Sequence, residues 1–270
     1  MENVQAEIIK ALDIVNPFDA ETELRRRVDF IKSQLKDNGL HALVLGISGG
    51  VDSLTAGALG QRAATELRAE GYDATFIAMR LPYGVQADEH EAQQSLDFIQ
   101  PDRVVTVNIK AAVDGMLEAI DEPFASDAER DFVKGNIKAR QRMIAQYAIA
   151  GKNKGLVIGT DQGPEALCGF FTKFGDGGAD ITPLTGLIKR FVRSLAEHMG
   201  APANLVGKVP TADLEDLNPQ KPDEVAFGVT YDEIDDFLLG KPVSDRAATI
   251  LTKLYRATAH KRALPYTPFS

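Results

Sequence analysis

The stretch VLGISGGVDSLTAGALG, residues 44–60, carries glycines and serines at Gly46, Ser48, Gly49, Gly50 and Ser53, and a carboxylate at Asp52. An apolar run, a glycine-rich turn and the start of a helix bring several backbone N–H groups to one point. The helix dipole adds partial positive charge there. Gly49 and Gly50 permit close backbone approach and positive φ, and the hydroxyls of Ser48 and Ser53 add donors. Such a place suits a phosphate anion at the carboxyl edge of a parallel sheet. The lysine of the familiar mononucleotide loop is missing. A carboxylate beside phosphates repels them unless a cation intervenes, and Mg²⁺ takes one or two carboxylates together with phosphate oxygens. Asp52 therefore points to a metal-bridged polyphosphate, although by position alone it also suits an N-cap.

Other candidate groups have a plainer reading beside the chemical one. Lys189 and Arg193 stand one turn apart on a helix whose opposite face is apolar, which fits a solvated basic face. Glu165 follows Pro164 and suits the first turn of a helix, while Asp180 suits a turn before a helix. His260, Lys261 and Arg262 suit a solvated charge run, and YDEIDDFL (231–238) reads as the acidic face of a surface helix. Cys168 lacks the positioned base and activating surroundings of a nucleophile and reads as a small buried residue.

The elements that must position these groups alternate. HALVLGI (41–47), ATFIAMRL (74–81), RVVTVNI (103–109) and GLVIGT (155–160) read as strands. Helical spacing marks 21–37, a helix from Ser53 to Gly71, 87–99, 111–120, 130–151 and 185–200, with shorter helices near 231–239 and 243–259. Strands interleaved with helices imply right-handed crossovers and a doubly wound parallel sheet, an α/β fold with helices on both faces. Residues 161–183 are glycine-rich and show no sustained period, so they read as an ordered functional loop. The stretch 208–228, rich in prolines and acids, suits a lid. No repeat or interdomain linker appears, so residues 1–270 read as a single domain.

Composition narrows the classes. Of 270 residues 44% are hydrophobic and 26% charged, which is ordinary for a globular protein with a sizeable core. The net charge of −9 argues against duplex nucleic acid as a partner. The single cysteine permits no intrachain disulfide and fits a reducing, cytoplasmic compartment. No leader-like apolar segment and no membrane span is expected, and the four histidines lack metal-ligand spacing.

SGGVDS resembles the pyrophosphate loop of the N-type ATP pyrophosphatases, which cleave ATP between the α- and β-phosphates. That likeness implies a Rossmann-like, adenine nucleotide alpha hydrolase-like sheet. KGNIKARQRM (134–143), GTDQGPEALCGFFTKFGDGGADITPL (159–184), YDEIDDFL and HKR (260–262) extend the likeness over nearly the whole chain, to the NAD⁺ synthetases. The resemblance implies a ligase that adenylylates the carboxylate of deamido-NAD⁺ with ATP, releases pyrophosphate, and lets ammonia displace AMP. It places ATP on Gly46, Ile47, Ser48, Gly49, Gly50, Val51, Asp52, Ser53, Arg80, Thr160, Lys189 and Thr211. It places Mg²⁺ on Asp52 and Glu165, and deamido-NAD⁺ on Phe132, Arg140, Lys173, Asp180, His260 and Lys261. Lys189 would then supply the charge that the loop lacks.

Ammonium has no lone pair, so a carboxylate near the adenylate is needed to recruit it and accept its proton; Asp176, in the GDGG turn, is the candidate. Two positions depart from the family pattern: Gln162 replaces a frequent histidine and Val51 a common glutamine. The length leaves no room for a glutaminase domain, so ammonia is the expected nitrogen source. The resemblance further implies a homodimer with the pyridine nucleotide at the interface and helix 130–150 as a dimer element. Three alternatives stay open: another enzyme of the loop group, such as a tRNA thiolase or a different amidoligase; a non-catalytic nucleotide sensor; and a catalytic fragment fed by a separate glutaminase.

Overall fold

The computed structural model describes residues 2–85, 89–212, 216–217 and 221–268. Two helices lead in: α1 (Glu2–Ala11) and α2 (Ala20–Asp37), the second capped by Asp19, which accepts from the Thr22 amide at 2.9 Å. Then come β1 (Ala42–Gly46), α3 (Val51–Ala69), β2 (Thr75–Arg80), α4 (Glu89–Ile99), β3 (Arg103–Thr106), α5 (Lys110–Glu118), α6 (Asp127–Lys152) and β4 (Gly155–Val157). All four expected strands form. The first two residues of the expected helix 87–99 lie outside the described residues.

The sheet is parallel in the order β3-β2-β1-β4. Side chains along β1 and β2 alternate between its two faces. Leu43, Leu45, Phe76 and Ala78 join a core with α2 and α3, whereas Val44, Ile77 and Met79 join a separate core with α6. The strands read as unbroken apolar runs because helices cover both faces. The chain winds from β1 outward to β3, then returns to the other side of β1 as β4. The switch point between β1 and β4 is where such sheets bind ligands, at their carboxyl ends.

The remainder is α7 (Gly163–Cys168), α8 (Lys189–His198), α9 (Ala203–Val206), the antiparallel pair β5 (Thr211–Ala212) and β6 (Lys221–Pro222), α10 (Asp223–Phe227), α11 (Tyr231–Leu238), α12 (Asp245–Ala257) and α13 (Ala259–Arg262). A third core unites α1, α7, α11 and α12 through Ile8, Leu167, Ile234, Phe237 and Leu251. The segment 161–183, read as a loop, thus contains one short helix. Six residues are too few for a period, but Pro164 and Glu165 in its first turn and left-handed Gly169 at its end delimit it. No helix among the described residues is long and apolar enough to cross a membrane.

Candidate active site

The turn between β1 and α3 is held by its own serines. Ser53 Oγ accepts from the Ser48 amide at 3.2 Å and donates to the Gly50 carbonyl at 3.1 Å, while Ser48 Oγ accepts from the Gly50 amide at 3.3 Å. Gly50 is the N-cap and no side chain caps α3, so the first-turn amides lack partners within the helix and remain available to a ligand. Gly49 has φ +86° and packs against α4, where a Cβ would lie 2.9 Å from the Ala92 nitrogen. Gln146 of α6 fixes the turn's entrance by accepting from the Gly46 amide at 2.8 Å.

Asp52 is therefore not the cap. Its Oδ2 accepts from Lys189 Nζ at 2.6 Å, and its Oδ1 is buried with no hydrogen-bond partner among the described residues. Lys189, far from a solvated basic face, is 2% exposed. Burial alone would lower its pKa, but the carboxylates of Asp52 and Glu165 overcome this and hold it above the ordinary lysine value. The start of α8 is set by Asp235, whose two oxygens accept from the Lys189 and Arg190 amides at 3.0 and 2.9 Å. Burial pushes Asp235 up to about 6 against the pull of those amides. YDEIDDFL is thus a helix, as expected, but not simply an acidic surface face: Asp232 and Glu233 point out, whereas Tyr231, Ile234, Asp235 and Phe237 are buried because α11 packs on α8 and α7.

Glu165 sits in the first turn of α7, its amide donating to Gln162 Oε1 at 3.4 Å. Its carboxyl is raised well above the usual range, first by burial and then by the charge of Asp52. The unpartnered Asp52 oxygen and this second carboxylate form an all-oxygen donor pair that fits Mg²⁺, whose other positions phosphate and water would fill. Among the described residues no three His, Cys, Asp or Glu side chains gather as a metal site by themselves.

A cavity of about 490 Å³ collects these groups. Of the residues expected to bind ATP or metal, Gly46, Ile47, Ser48, Gly50, Val51, Asp52, Ser53, Thr160, Glu165, Lys189 and Thr211 line it. Gly49 and Arg80 do not: Gly49 packs against α4, and the Arg80 guanidinium donates to the Ile47 carbonyl and to Glu89, bracing the loop. Asp176 lines the cavity too and keeps an exposed surface. Burial raises its pKa although its oxygen accepts from the Thr172 amide at 2.9 Å. Of the expected deamido-NAD⁺ contacts, Phe132 and Lys261 line the cavity. Arg140, Lys173 and His260 instead make a patch of their own: Arg140 donates to the Lys173 carbonyl at 3.4 Å and Lys173 to the His260 carbonyl. Asp180 is tied to β4 and α6, accepting from the Val157 amide at 2.7 Å and the Tyr147 hydroxyl at 3.1 Å. Cys168 is buried, with its thiol pushed up to about 12 by burial and by Glu165, the inert state expected for it.

Three charged residues of the cavity wall are not among the expected ones. Lys208 donates to the Gly49 carbonyl at 3.4 Å, adding a second cation at the loop. Asp223 accepts from the Tyr231 hydroxyl at 2.9 Å and keeps a buried Oδ1 without a partner among the described residues. Arg142 of α6 lines the opposite wall and donates to the Leu81 carbonyl at 3.1 Å. Arg142 lies within KGNIKARQRM, and Lys208 and Asp223 lie within the stretch 208–228, but nothing local marks any of the three as a cavity residue.

Residues 23–265 match the family model described as NAD synthase. The chain is 60% identical over 268 residues to a Streptomyces coelicolor protein named NH(3)-dependent NAD(+) synthetase, covering 98% of this chain and 97% of that one. It resembles the crystal structure of NAD+ synthetase from Burkholderia pseudomallei with TM-score 0.84 and 54% identity, covering 97% and 96% of the two chains. A structure titled NMN synthetase, from Francisella tularensis, follows the same fold with TM-score 0.80 and 33% identity over 93% of this chain and 99% of that one.

Proposed function

The chain belongs to the NAD synthase family and makes NAD⁺ by ATP-dependent amidation of deamido-NAD⁺ with ammonia, and from that premise we propose how its residues carry out the reaction. The observation that carries the reading is the Asp52–Lys189 contact at the mouth of a turn that leads into uncapped first-turn amides of α3. The amides of residues 48–53 hold the β- and γ-phosphates of ATP, and Lys189 and Lys208 offset the charge that grows on departing pyrophosphate. Asp52 and Glu165 would hold Mg²⁺, which when bound neutralises phosphate charge and orients the triphosphate. Its charge would offset the repulsion of the two carboxylates for each other and for the phosphates.

The substrate carboxylate attacks the α-phosphorus and becomes an acyl-adenylate, turning a poor electrophile into one with a good leaving group. Ammonia then attacks the acyl carbon, the bond to AMP breaks, and Asp176 takes the proton that nitrogen sheds as the amide forms. The pyridine ring stacks near Phe132, beside Lys261. Arg140, Lys173 and His260 serve the same ligand from a second copy of the chain. This reading accounts for two separate patches, and for the exposure of Phe132 and Ile144 on α6. We read residues 1–270 as one catalytic domain that works as a homodimer with sites at the interface, in the cytoplasm.

The test is product analysis with ATP, Mg²⁺, ammonium and deamido-NAD⁺. Equal amounts of NAD⁺, AMP and pyrophosphate are expected; ADP and phosphate would overturn the reading. Nicotinic acid mononucleotide in place of deamido-NAD⁺ is expected to react poorly, and a preference for it would move the assignment to the mononucleotide. Sedimentation should give twice the mass of one chain.

A further inference from the structure

A second cavity, of about 320 Å³, adjoins the first and shares Phe171 and Lys261 with it. Exposed Ala11, Asp13 and Thr185 form its rim, and Asp161 and Gln162 lie inside. Gln162 is 1% exposed. Its Oε1 accepts from the Glu165 amide, which fixes the orientation of the side-chain amide. Its Nε2 is consequently a donor, buried and without a partner among the described residues. The Asp161 carboxylate has no hydrogen bond among the described residues. An unpaired acceptor and an unpaired donor, adjacent in the chain and facing one small cavity, call for a ligand that both gives and receives hydrogen bonds.

We propose that this second cavity takes up the ammonia of the amidation reaction, with ammonium bound and deprotonated by Asp161 and the resulting ammonia held through its lone pair by Gln162 Nε2. The inference rests on the adenylation-and-amidation reading above. In the step, one N–H bond of ammonium breaks and one O–H bond forms on Asp161; the electron pair stays on nitrogen. That lone pair attacks the acyl carbon in the adjoining cavity, the carbon–oxygen bond to AMP breaks, and the next proton leaves to Asp176.

The charged groups around Asp161 suit this exchange. Asp176 and Asp52 face it from the active-site side, Glu165 from α7, and Asp13 stands at the rim. Lys261 and Arg262 lie across the cavity, but Lys261 is spent on the carbonyls of Gly169 and Phe171, and Arg262 on those of Ala166 and Tyr255. Burial, then the charges of Asp176 and Asp52, push Asp161 up to about 7, so both of its forms exist near neutrality.

The test uses full-length protein with ATP, Mg²⁺ and deamido-NAD⁺, comparing wild type with Asp161→Asn and Gln162→Leu. Three rates are measured: pyrophosphate–ATP exchange without a nucleophile, NAD⁺ formation from ammonium, and hydroxamate formation from hydroxylamine, which is uncharged at neutral pH. Asp161→Asn is expected to keep the exchange rate within about twofold while kcat/KM for ammonium falls about 100-fold, the scale of a lost general base, and to spare hydroxylamine. Gln162→Leu also removes the acceptor of the Glu165 amide, so it is read as a ratio: use of both nucleophiles is expected to fall further than exchange does, and an equal fall in all three rates would overturn the role of Gln162. Unchanged use of ammonium, equal loss of both nucleophiles in Asp161→Asn, or loss of exchange in that variant would overturn the proposal. Absence of exchange in wild type would instead overturn the reaction on which it rests.

Discussion

Gly49→Ala probes the phosphate-binding turn where its geometry is tightest, and Gly200→Ala supplies its control. The two glycines have almost the same backbone, φ +86° and +87°. Around Gly200 nothing lies within 4 Å of an added Cβ, whereas at Gly49 that atom would meet the Ala92 nitrogen at 2.9 Å and Glu91 at 3.2 Å. Both substitutions incur the left-handed penalty of ~1–2 kcal/mol. Only Gly49→Ala adds overpacking against the rigid backbone of α4, roughly another 1–3 kcal/mol. At ~2–4 °C per kcal/mol for a chain of this size, Gly200→Ala should lower Tm by about 4 °C and Gly49→Ala by about 8 °C or more. The clash can be relieved only by moving the turn off α4, which displaces the amides aimed at phosphate. A misplacement of ~1 Å costs on the order of 100-fold in rate. Pyrophosphate–ATP exchange should therefore collapse in Gly49→Ala and stay unchanged in Gly200→Ala. Equal Tm shifts with exchange preserved in both would refute the reasoning.

Lys189→Met should lower pyrophosphate–ATP exchange by about 10²–10³-fold, as expected for loss of one preorganised charge on a developing anion; retention of most of the rate would remove Lys189 from the chemistry. Asp235→Ala leaves the Lys189 and Arg190 amides without their shared acceptor and should cost about 1–3 kcal/mol in urea unfolding at pH 7. Asp161 and Asp235 have folded values of about 7 and about 6, raised from 3.8 chiefly by burial. Their contribution to stability is therefore fully present below about pH 4 and is lost as pH rises through about 6 and 7. Unfolding free energies measured at pH 5 and 8 should show a smaller decline in Asp161→Asn than in wild type, and an identical decline would contradict the assignment.

The fold and half of the site were legible because their signals are local. The phosphate turn is contiguous, and its strand, glycines and helix start occupy sixteen residues or so. The four strands announced themselves as apolar runs, since both faces of the sheet are covered. Long-range pairings were not legible from the pattern: Lys189 and Asp52 are 137 positions apart, and only the family likeness joined them. Asp235 misled for a related reason. Four acids within one short helix look like a solvent face, and nothing local reveals that one of them meets the free amides of another helix. Asp161, Asp223 and Lys208 are single residues in aperiodic segments, where position in the fold decides their role. The helix α7 escaped because six residues cannot display a period, although its proline and acidic first turn were visible.

The position of the triphosphate decides the mechanism. A crystal structure with Mg²⁺ and an ATP analogue that resists cleavage between the α- and β-phosphates tests this directly. Its β- and γ-phosphates should rest on the amides of residues 48–53, with the metal between Asp52 and Glu165 and Lys189 within contact of a phosphate oxygen. Phosphates seated away from that turn, or a metal that ignores both carboxylates, would contradict it.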